Sequence, residues 1–165
     1  MEYENVRQPF EPVYDKNSKI LILGSLPSVK SREQGFYYGH KQNRFWRVIA
    51  GIFESPLPET IEQKKELLLR NHVAIYDVIE SCDIKGSSDS SIRNVVPTDL
   101  RVILQGSQIE VIFANGKAAG KLFQKYQAKN FNGKFVELPS TSPANAAFSL
   151  ECLTEIWGAE IRGYR

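Results

Sequence analysis

The chain has 165 residues, which is the length of one compact domain with room for a sizeable hydrophobic core. Hydrophobic residues make up 42% and charged residues 24%, an ordinary balance for a soluble globular protein. The apolar run at 19–23 is only strand-sized, and residues 1–10 lack the apolar stretch of a signal peptide. We therefore expect a single domain over residues 1–165, cytoplasmic and without a membrane partner.

The cysteines and histidines are too scattered in sequence to indicate a metal site. Cys82 and Cys152 lie far apart, and His40 and His72 are each solitary. Zinc and iron–sulfur sites need clustered ligands, so we expect neither a metal nor a cofactor. The net charge of +2 is also too small to indicate a nucleic-acid partner by itself. Any nucleic-acid surface must come from local clustering of cations.

Short β-rich runs alternate with helical patterns along the chain. The β-rich runs lie at 19–23, 73–79, 111–114 and 135–138. Helical patterns lie at 44–52, 59–70 and 97–106, and in two later segments that carry Ala119, Leu122, Phe123 and Tyr126 on one face and Leu150, Leu153, Ile156 and Trp157 on another. The alternation predicts an α/β fold, a three-layer α/β/α sandwich with a central, mainly parallel sheet of about four strands.

This architecture predicts where a ligand binds. In open α/β sheets, ligands occupy the crevice outside the carboxyl ends of the strands. Four loops would then surround one crevice, at 24–28, 76–91, 115–116 and 140–145.

The most informative stretch is 35–46, with the sequence Gly-Phe-Tyr-Tyr-Gly-His-Lys-Gln-Asn-Arg-Phe-Trp. It combines aromatic rings, on which a base can stack, with cations that suit phosphates. The same composition also fits a core loop that enters an amphipathic helix, with Asn43 only as its N-cap. From these residues alone, both interpretations stay open.

Three segments, taken together in order and spacing, resemble the uracil-DNA glycosylase superfamily: Gly-Ser-Leu-Pro-Ser at 24–28, the stretch at 35–46, and Ser-Thr-Ser-Pro-Ala-Asn at 140–145. Within the second, Asn-Arg-Phe-Trp is similar to the mismatch-specific uracil glycosylases. The whole pattern, over 19–145, most resembles the hypoxanthine (deoxyinosine) DNA glycosylases. The resemblance implies a DNA-repair enzyme that flips a deaminated base out of the DNA and hydrolyses its N-glycosidic bond, without lyase activity and without a cofactor.

The resemblance also implies roles for single residues, with two departures from the family pattern. Leu26 stands where many members have an Asp or Asn that orients water, and Ser140 stands where many have His or Asn. Asn43 is then the expected catalytic residue, its amide oxygen accepting a hydrogen bond from the attacking water, with Ser140 as a second catalytic group.

The remaining implied contacts divide between the base and the DNA around it. Tyr38 is expected to stack on the flipped base, and Asp77 to accept the N1–H of hypoxanthine. The full set is Ser25, Leu26, Tyr38, Asp77 and Ser142 for the base, and Lys41, Ala144 and Asn145 for the DNA. Plainer roles stay open: a core tyrosine at 38, turn-forming hydroxyls at 140 and 142, and a charged residue entering a turn at 77.

We expect a monomer that acts on DNA containing a deaminated base and is associated with the nucleoid. Three other functions remain open on the sequence: a glycosylase of broader specificity that includes uracil or xanthine, a non-catalytic reader of damaged bases, and a small-nucleotide-binding α/β protein with no DNA partner.

Overall fold

Two sheets and six helices make up the computed structural model, which describes residues 2–164. The strands are β1 (Glu4–Arg7), β2 (Ile20–Gly24), β3 (Val73–Asp77), β4 (Ile79–Ile84), β5 (Arg93–Pro97), β6 (Val111–Asn115) and β7 (Lys134–Leu138). The helices are α1 (Val29–Gln34), α2 (Phe45–Ile52), α3 (Ile61–Arg70), α4 (Arg101–Gln105), α5 (Lys117–Tyr126) and α6 (Leu150–Ile161), and short 3-10 turns lie at Asp89–Ser91 and Ala128–Asn130.

Four of the strands form a parallel sheet in the order β3-β2-β6-β7. Their register places Gly24 beside Asp77, and Asn115 beside Leu138. All four carboxyl ends therefore meet at one edge of the sheet. The predicted four-stranded parallel sheet is confirmed, with strand ends within one residue except for the run at 73–79, which the structure divides between β3 and β4.

Helices cover both faces of this sheet, as the α/β/α prediction requires. Successive side chains of a strand point to opposite faces. Ile20 and Ile22 pack into a core with α2, α3 and α6, whereas Leu21 and Leu23 pack into a second core with α4 and α5. Because the sheet is buried on both faces, its strands are continuous apolar runs rather than alternating ones.

A second sheet, which the sequence pattern does not predict, lies beside the first. It is antiparallel with the order β1-β4-β5. The interpretation of 76–91 as a loop is therefore wrong for Ile79–Ile84, which pairs with β1 near the start of the chain and with β5. Strands β1 and β5 are short and mostly exposed, and β4 does not alternate strictly between buried and exposed positions. These features give a weak periodic signal, and the pairing of β1 with β4 joins residues far apart in sequence.

The helices differ from the predicted patterns mainly at their ends. Helix α4 begins at Arg101, because Pro97 still belongs to β5 and the Thr98 hydroxyl donates to the carbonyl oxygens of residues 77 and 78. In α6 the buried face is Leu153, Trp157 and Ile161 rather than one that begins at Leu150. None of the helices between residues 2 and 164 is long and apolar enough to cross a membrane.

We predict that the two leucines of α6 differ sharply in their contribution to stability. Leu153 is 0% exposed and Leu150 is 38% exposed. Leu153→Ala should lower the free energy of unfolding by about 2–5 kcal/mol because it leaves a cavity in the core. The matched control Leu150→Ala should cost less than about 1 kcal/mol. Chemical denaturation measures both, and equal losses would contradict the packing of α6 on the sheet.

Candidate active site

A pocket of about 140 Å³ opens at the carboxyl edge of the parallel sheet. We call it the crevice pocket. It collects seven of the predicted site residues, which are Ser25, Leu26, Tyr38, Asn43, Asp77, Ser140 and Ser142. The location follows the strand-end rule for α/β sheets. The chemical roles assigned to these residues stay predictions.

A hydrogen-bond chain holds Asn43 in place within this pocket. The Asn43 amide oxygen accepts from the Phe45 backbone N–H and from the Thr141 hydroxyl, both at 2.9 Å. The Thr141 hydroxyl in turn accepts from the Asn115 side-chain amide at 3.0 Å, and the Asn115 oxygen accepts from the Thr141 backbone N–H at 3.0 Å. Side chains from the turn before α2, from β6 and from the segment after β7 are thus fixed relative to one another.

This chain changes the role that Asn43 can have. An amide oxygen has two lone pairs, and two donors of the protein occupy both. The Asn43 oxygen is therefore engaged within the protein, and its hydrogen bond from the attacking water stays a prediction. The Asn43 amide nitrogen makes no hydrogen bond to any residue between 2 and 164, so it is the group left to act in the pocket. The expected N-cap role is wrong, because Arg44 is the N-cap of α2, although the Asn43 oxygen still accepts from the N–H of Phe45, the first residue of that helix.

The Tyr38 ring lines the pocket and stacks on Phe45, with ring centroids 4.0 Å apart. One face of the ring is thus used within the protein, which leaves the other for a planar ligand. The backbone of Tyr38 is left-handed, with φ of 55°, a conformation that is strained for a non-glycine residue. Burial raises the pKa of Tyr38 above its usual range, with Asp77 as a further cause, so the hydroxyl stays protonated.

The Tyr38 hydroxyl is buried beside Asp77 and Gly24. It makes no hydrogen bond among the described residues, although Asn115 lies close enough to oppose the rise in its pKa. A Cβ at Gly24 would lie 2.6 Å from the Asp77 Oδ1 and 3.0 Å from the Tyr38 hydroxyl. Glycine at position 24 therefore allows these two polar groups to approach the end of β2.

Asp77 is a buried carboxyl with one strong side-chain partner. It is 3% exposed, and its Oδ2 accepts from the Gln8 side-chain amide at 2.6 Å. Burial raises the pKa of Asp77 to about 7, although the hydrogen bonds from Gln8 and the Gly24 backbone oppose the rise. Near neutral pH the carboxyl therefore exists in both forms, one a pure acceptor and the other also a donor.

A second carboxyl, Asp89, lines the same pocket from the 3-10 turn. Asp89 is exposed as a residue, yet enough protein surrounds its carboxyl to raise its pKa, an effect that the Ser25 side chain opposes. The sequence pattern gives no signal for Asp89, because it lies in a polar stretch of serines and glycine. Only the fold of the second sheet brings this turn to the pocket.

Arg44 clamps the segment that follows β7 to the start of α2. Its guanidinium donates to the backbone carbonyl oxygens of Ser142 at 2.7 Å and Asn145 at 3.0 Å, and also to those of Thr141 and Phe148. The Arg44 backbone N–H donates to Thr141 as well, at 3.1 Å. Arg44 was part of the informative stretch, but nothing in the sequence shows that its partners lie almost a hundred positions away.

The serines after β7 shape the turn that Arg44 holds. The Ser140 hydroxyl accepts from the Ser142 backbone N–H at 3.1 Å, and the Ser142 hydroxyl accepts from the Ala144 backbone N–H at 3.2 Å. The Asn145 side chain donates to the Ser140 carbonyl oxygen at 3.0 Å. The plainer turn-forming roles are therefore present, and each serine hydroxyl keeps its own proton available for a ligand.

A larger groove of about 980 Å³ adjoins the crevice pocket along helix α5. We call it the α5 groove. Ala144 and Asn145 line this groove, whereas Lys41 is exposed and lines neither cavity. The structure thus places two of the three predicted DNA contacts next to the pocket and the third in the turn before α2.

The described residues contain no group of three or more His, Cys, Asp or Glu side chains that could hold a metal ion. The expectation that the protein needs no metal stays a prediction.

We predict that Asp77 makes stability depend on pH. A carboxyl whose pKa rises from 3.8 to about 7 on folding binds its proton more tightly in the native state. Its favourable contribution is therefore complete below about pH 4 and is lost as the pH rises through 7. Asp77→Asn, which can still accept from Gln8, should remove this loss and be the more stable protein at pH 8, by up to about 4 kcal/mol.

Chemical denaturation at pH 5.5 and pH 8 measures the effect as the difference between the two proteins. Asp99→Asn is the matched control, because Asp99 is exposed and Arg101 lowers the pKa of its carboxyl to about 2. For Asp99→Asn, the free energy of unfolding plotted against pH should run parallel to that of the native chain above pH 5. A parallel curve for Asp77→Asn would contradict the raised pKa.

Known proteins match both the sequence and the fold. A model of the Uracil DNA glycosylase superfamily matches residues 11–159. A hypoxanthine DNA glycosylase of Methanosarcina acetivorans is 33% identical over 159 residues, 95% of this chain and 99% of the relative. One of Methanosarcina barkeri is 33% identical over 141 residues, 84% of this chain and 88% of the relative.

A solved structure extends the similarity to three dimensions. The solution NMR structure of a Methanosarcina acetivorans protein, provisionally described as a uracil DNA glycosylase, superposes with a TM-score of 0.81 at 31% identity. The similarity covers 96% of this chain and 98% of that one. The family predicted from the three sequence segments is therefore confirmed. The chain belongs to the uracil DNA glycosylase superfamily.

Proposed function

We propose that the protein is a monofunctional DNA glycosylase that removes hypoxanthine, the deaminated form of adenine. The base must first leave the duplex stack, because a positioned water cannot reach the N-glycosidic bond of a stacked nucleotide. Water oxygen then bonds to C1′ of the deoxyribose while the bond from C1′ to N9 breaks. The bonding electrons leave with the base, which takes up a proton, and an abasic site remains in the DNA.

The observation that carries this proposal is the Asp77 carboxyl in the crevice pocket of a chain that is 33% identical to hypoxanthine DNA glycosylases. Hypoxanthine presents an N–H beside a carbonyl oxygen. A protonated carboxyl is complementary to this edge, because it accepts from N1–H and donates to O6. Adenine presents an acceptor at N1 and a donor at its 6-amino group, so it would need the carboxyl proton on the other oxygen, and the ionised carboxylate cannot bond its N1. The pKa of Asp77, near 7, keeps part of the population protonated at neutral pH.

Asn43 and Ser140 are proposed as the catalytic donors. The base leaves with negative charge, and hydrogen-bond donors aimed at a developing charge are among the strongest contributors to catalysis. The Asn43 amide nitrogen is free in the pocket, and its orientation is fixed through the amide oxygen. The Ser140 hydroxyl lines the same pocket with its proton available.

Stacking and enclosure are assigned to four other pocket residues. Tyr38 would hold the flipped base against the ring face that Phe45 does not cover. Ser25 and Leu26 belong to the loop after β2 and would contact the base from that side, with Ser142 opposite them. A base held this way loses little further freedom before the bond breaks.

The attacking water needs an acceptor for its proton. Asp89 is the second carboxyl that lines the pocket, and it is exposed, whereas Asp77 is buried and hydrogen-bonded to Gln8. A negative charge near the sugar also favours the positive charge that the sugar gains as the bond breaks. Asp89 is therefore proposed for the role that the sequence first assigned to the Asn43 oxygen.

The wider assignments are proposals of the same kind. Ala144 and Asn145 would contact the DNA beside the flipped nucleotide, and Lys41 would contact a phosphate. The chain is proposed to act as one domain and as a monomer, in association with the nucleoid. Uracil also presents an N–H beside a carbonyl oxygen, so activity on uracil or xanthine is the second candidate function.

Excision assays on defined oligonucleotides test the substrate directly. We expect an abasic site, revealed by strand cleavage in hot alkali, in DNA with one deoxyinosine, and slower or no abasic-site formation in matched DNA with uracil, xanthine, adenine or guanine at the same position. Faster uracil than hypoxanthine excision would favour the broader enzyme. Binding to inosine DNA without any excision would favour a non-catalytic reader.

Substitutions at Asn43 test the donor role against the water-accepting role. Asn43→Ala removes both functions and should lower the single-turnover excision rate about 10²–10³-fold, the usual effect of one catalytic donor. Asn43→Asp still accepts from Phe45 and Thr141 but has no N–H, so it should keep its melting temperature and yet be as slow as Asn43→Ala. A rate near that of the native chain for Asn43→Asp would restore the water-accepting role.

A control separates these effects from lost stability. Asn71 does not line the pocket. Its side chain donates to the Leu67 carbonyl oxygen at the end of α3, at 2.8 Å. Asn71→Ala should lower the melting temperature and leave the excision rate unchanged. A normal rate for Asn43→Ala, with a similarly lowered melting temperature, would remove Asn43 from the mechanism.

A further inference from the structure

Three lysines form a stripe along one side of helix α5. Lys117, Lys121 and Lys125 are each exposed and all line the α5 groove. Residues four apart lie on the same face of a helix, about 6 Å apart along its axis. The stripe therefore extends over about 12 Å, roughly the axial length of three or four nucleotides of one DNA strand.

These lysines have no anionic partner among the residues that the structure describes. The ion pairs of the described chain join other residues, which are Lys30 with Glu33, Arg70 with Glu66, and Arg101 with Asp99. Lys125 lies over the Tyr126 ring, 5.2 Å from its centre, and this contact leaves its charge uncompensated. Two carboxylates, Asp89 and Glu137, also line the groove, so its cations exceed its anions by one. Among the described residues, the three ammonium groups are thus unpaired positive charges along this side of the groove.

The groove is continuous with the crevice pocket. Both cavities are lined by Ser25, Asp89, Asn115, Ser140 and Ser142. A strand whose flipped base occupies the pocket therefore has one flank beside the groove. The groove floor is partly apolar, with Ile92, Val95 and Leu122, which suits sugars and base faces rather than more phosphates.

We infer that the α5 groove binds the backbone of the lesion-bearing DNA strand on one side of the flipped nucleotide, with Lys117, Lys121 and Lys125 against successive phosphates. This inference rests on the proposed function, because it assumes that DNA enters the pocket. It adds a surface for the DNA backbone to the contacts proposed for Lys41, Ala144 and Asn145. A protein partner for the same groove is the alternative, which the salt dependence of DNA binding distinguishes.

The test replaces all three lysines by glutamine and measures binding to an unmodified fluorescent oligonucleotide, as single strand and as duplex, over a range of salt concentrations. Each neutralised phosphate contributes about 0.7 to 0.9 to the slope of log affinity against log salt. The triple variant should therefore lose roughly 2 to 3 from this slope and bind roughly ten- to hundred-fold more weakly at low salt. The variant Lys117→Arg/Lys121→Arg/Lys125→Arg should restore both quantities.

A charge-matched control is Lys16→Gln/Lys65→Gln/Arg70→Gln, because these cations are exposed and line neither cavity. It should bind like the native chain. Equal losses in the control and the α5 variant, or an unchanged slope in the α5 variant, would overturn the inference. All variants replace exposed side chains, and a thermal melt confirms that each is folded.

Failure of this inference and failure of the proposed function give different results. If DNA binding depends on the three lysines but no deaminated base is excised, the inference about the α5 groove would stand and the proposed glycosylase function would fail. If the native chain excises hypoxanthine but the salt dependence of DNA binding is the same in the triple lysine variant, the proposed function would stand and the inference about the α5 groove would fail. Absence of any DNA binding by the native chain would overturn the groove as well.

Discussion

The interaction on which the site depends is the attachment of the start of α2 to the segment after β7. Arg44 donates to the carbonyl oxygens of Ser142 and Asn145, and Asn43 accepts from Thr141, across 98 to 101 positions of sequence. Buried carbonyl groups need donors, and this irregular segment cannot supply them from a strand or helix ladder. A planar guanidinium with five donors meets that need from one point. Without it, two walls of the crevice pocket would not be held at a fixed distance.

The same attachment decides which polar groups remain for chemistry. Asn43 uses its amide oxygen and the serines use their lone pairs to build the turn, so the amide nitrogen and the hydroxyl protons remain as donors. Donors that are fixed before substrate arrives need no reorganisation as charge develops, which is the physical basis of electrostatic catalysis. Asp77 adds to the pocket a carboxyl whose pKa burial raises to about 7.

The second sheet has a functional consequence as well as a structural one. It carries the turn with Asp89 to the crevice pocket and supplies Ile92 and Val95 to the α5 groove. The parallel sheet alone would provide a strand-end crevice with one carboxyl. With the antiparallel sheet beside it, the crevice pocket gains a second carboxyl, Asp89. The pocket also becomes continuous with the α5 groove.

The sequence alone determined the family, the four parallel strands, the crevice at their carboxyl ends and seven of the residues that line the pocket. These features come from local signals: apolar runs, helical periodicity, and three short segments with a characteristic order. The tertiary structure decided the rest. The second sheet escaped prediction because β1 and β5 are short and mostly exposed, and because β1 pairs with a strand more than seventy positions away. The occupied oxygen of Asn43, the clamp by Arg44 and the approach of Asp89 were also hidden, since a hydrogen bond between distant residues leaves no periodic trace in the chain.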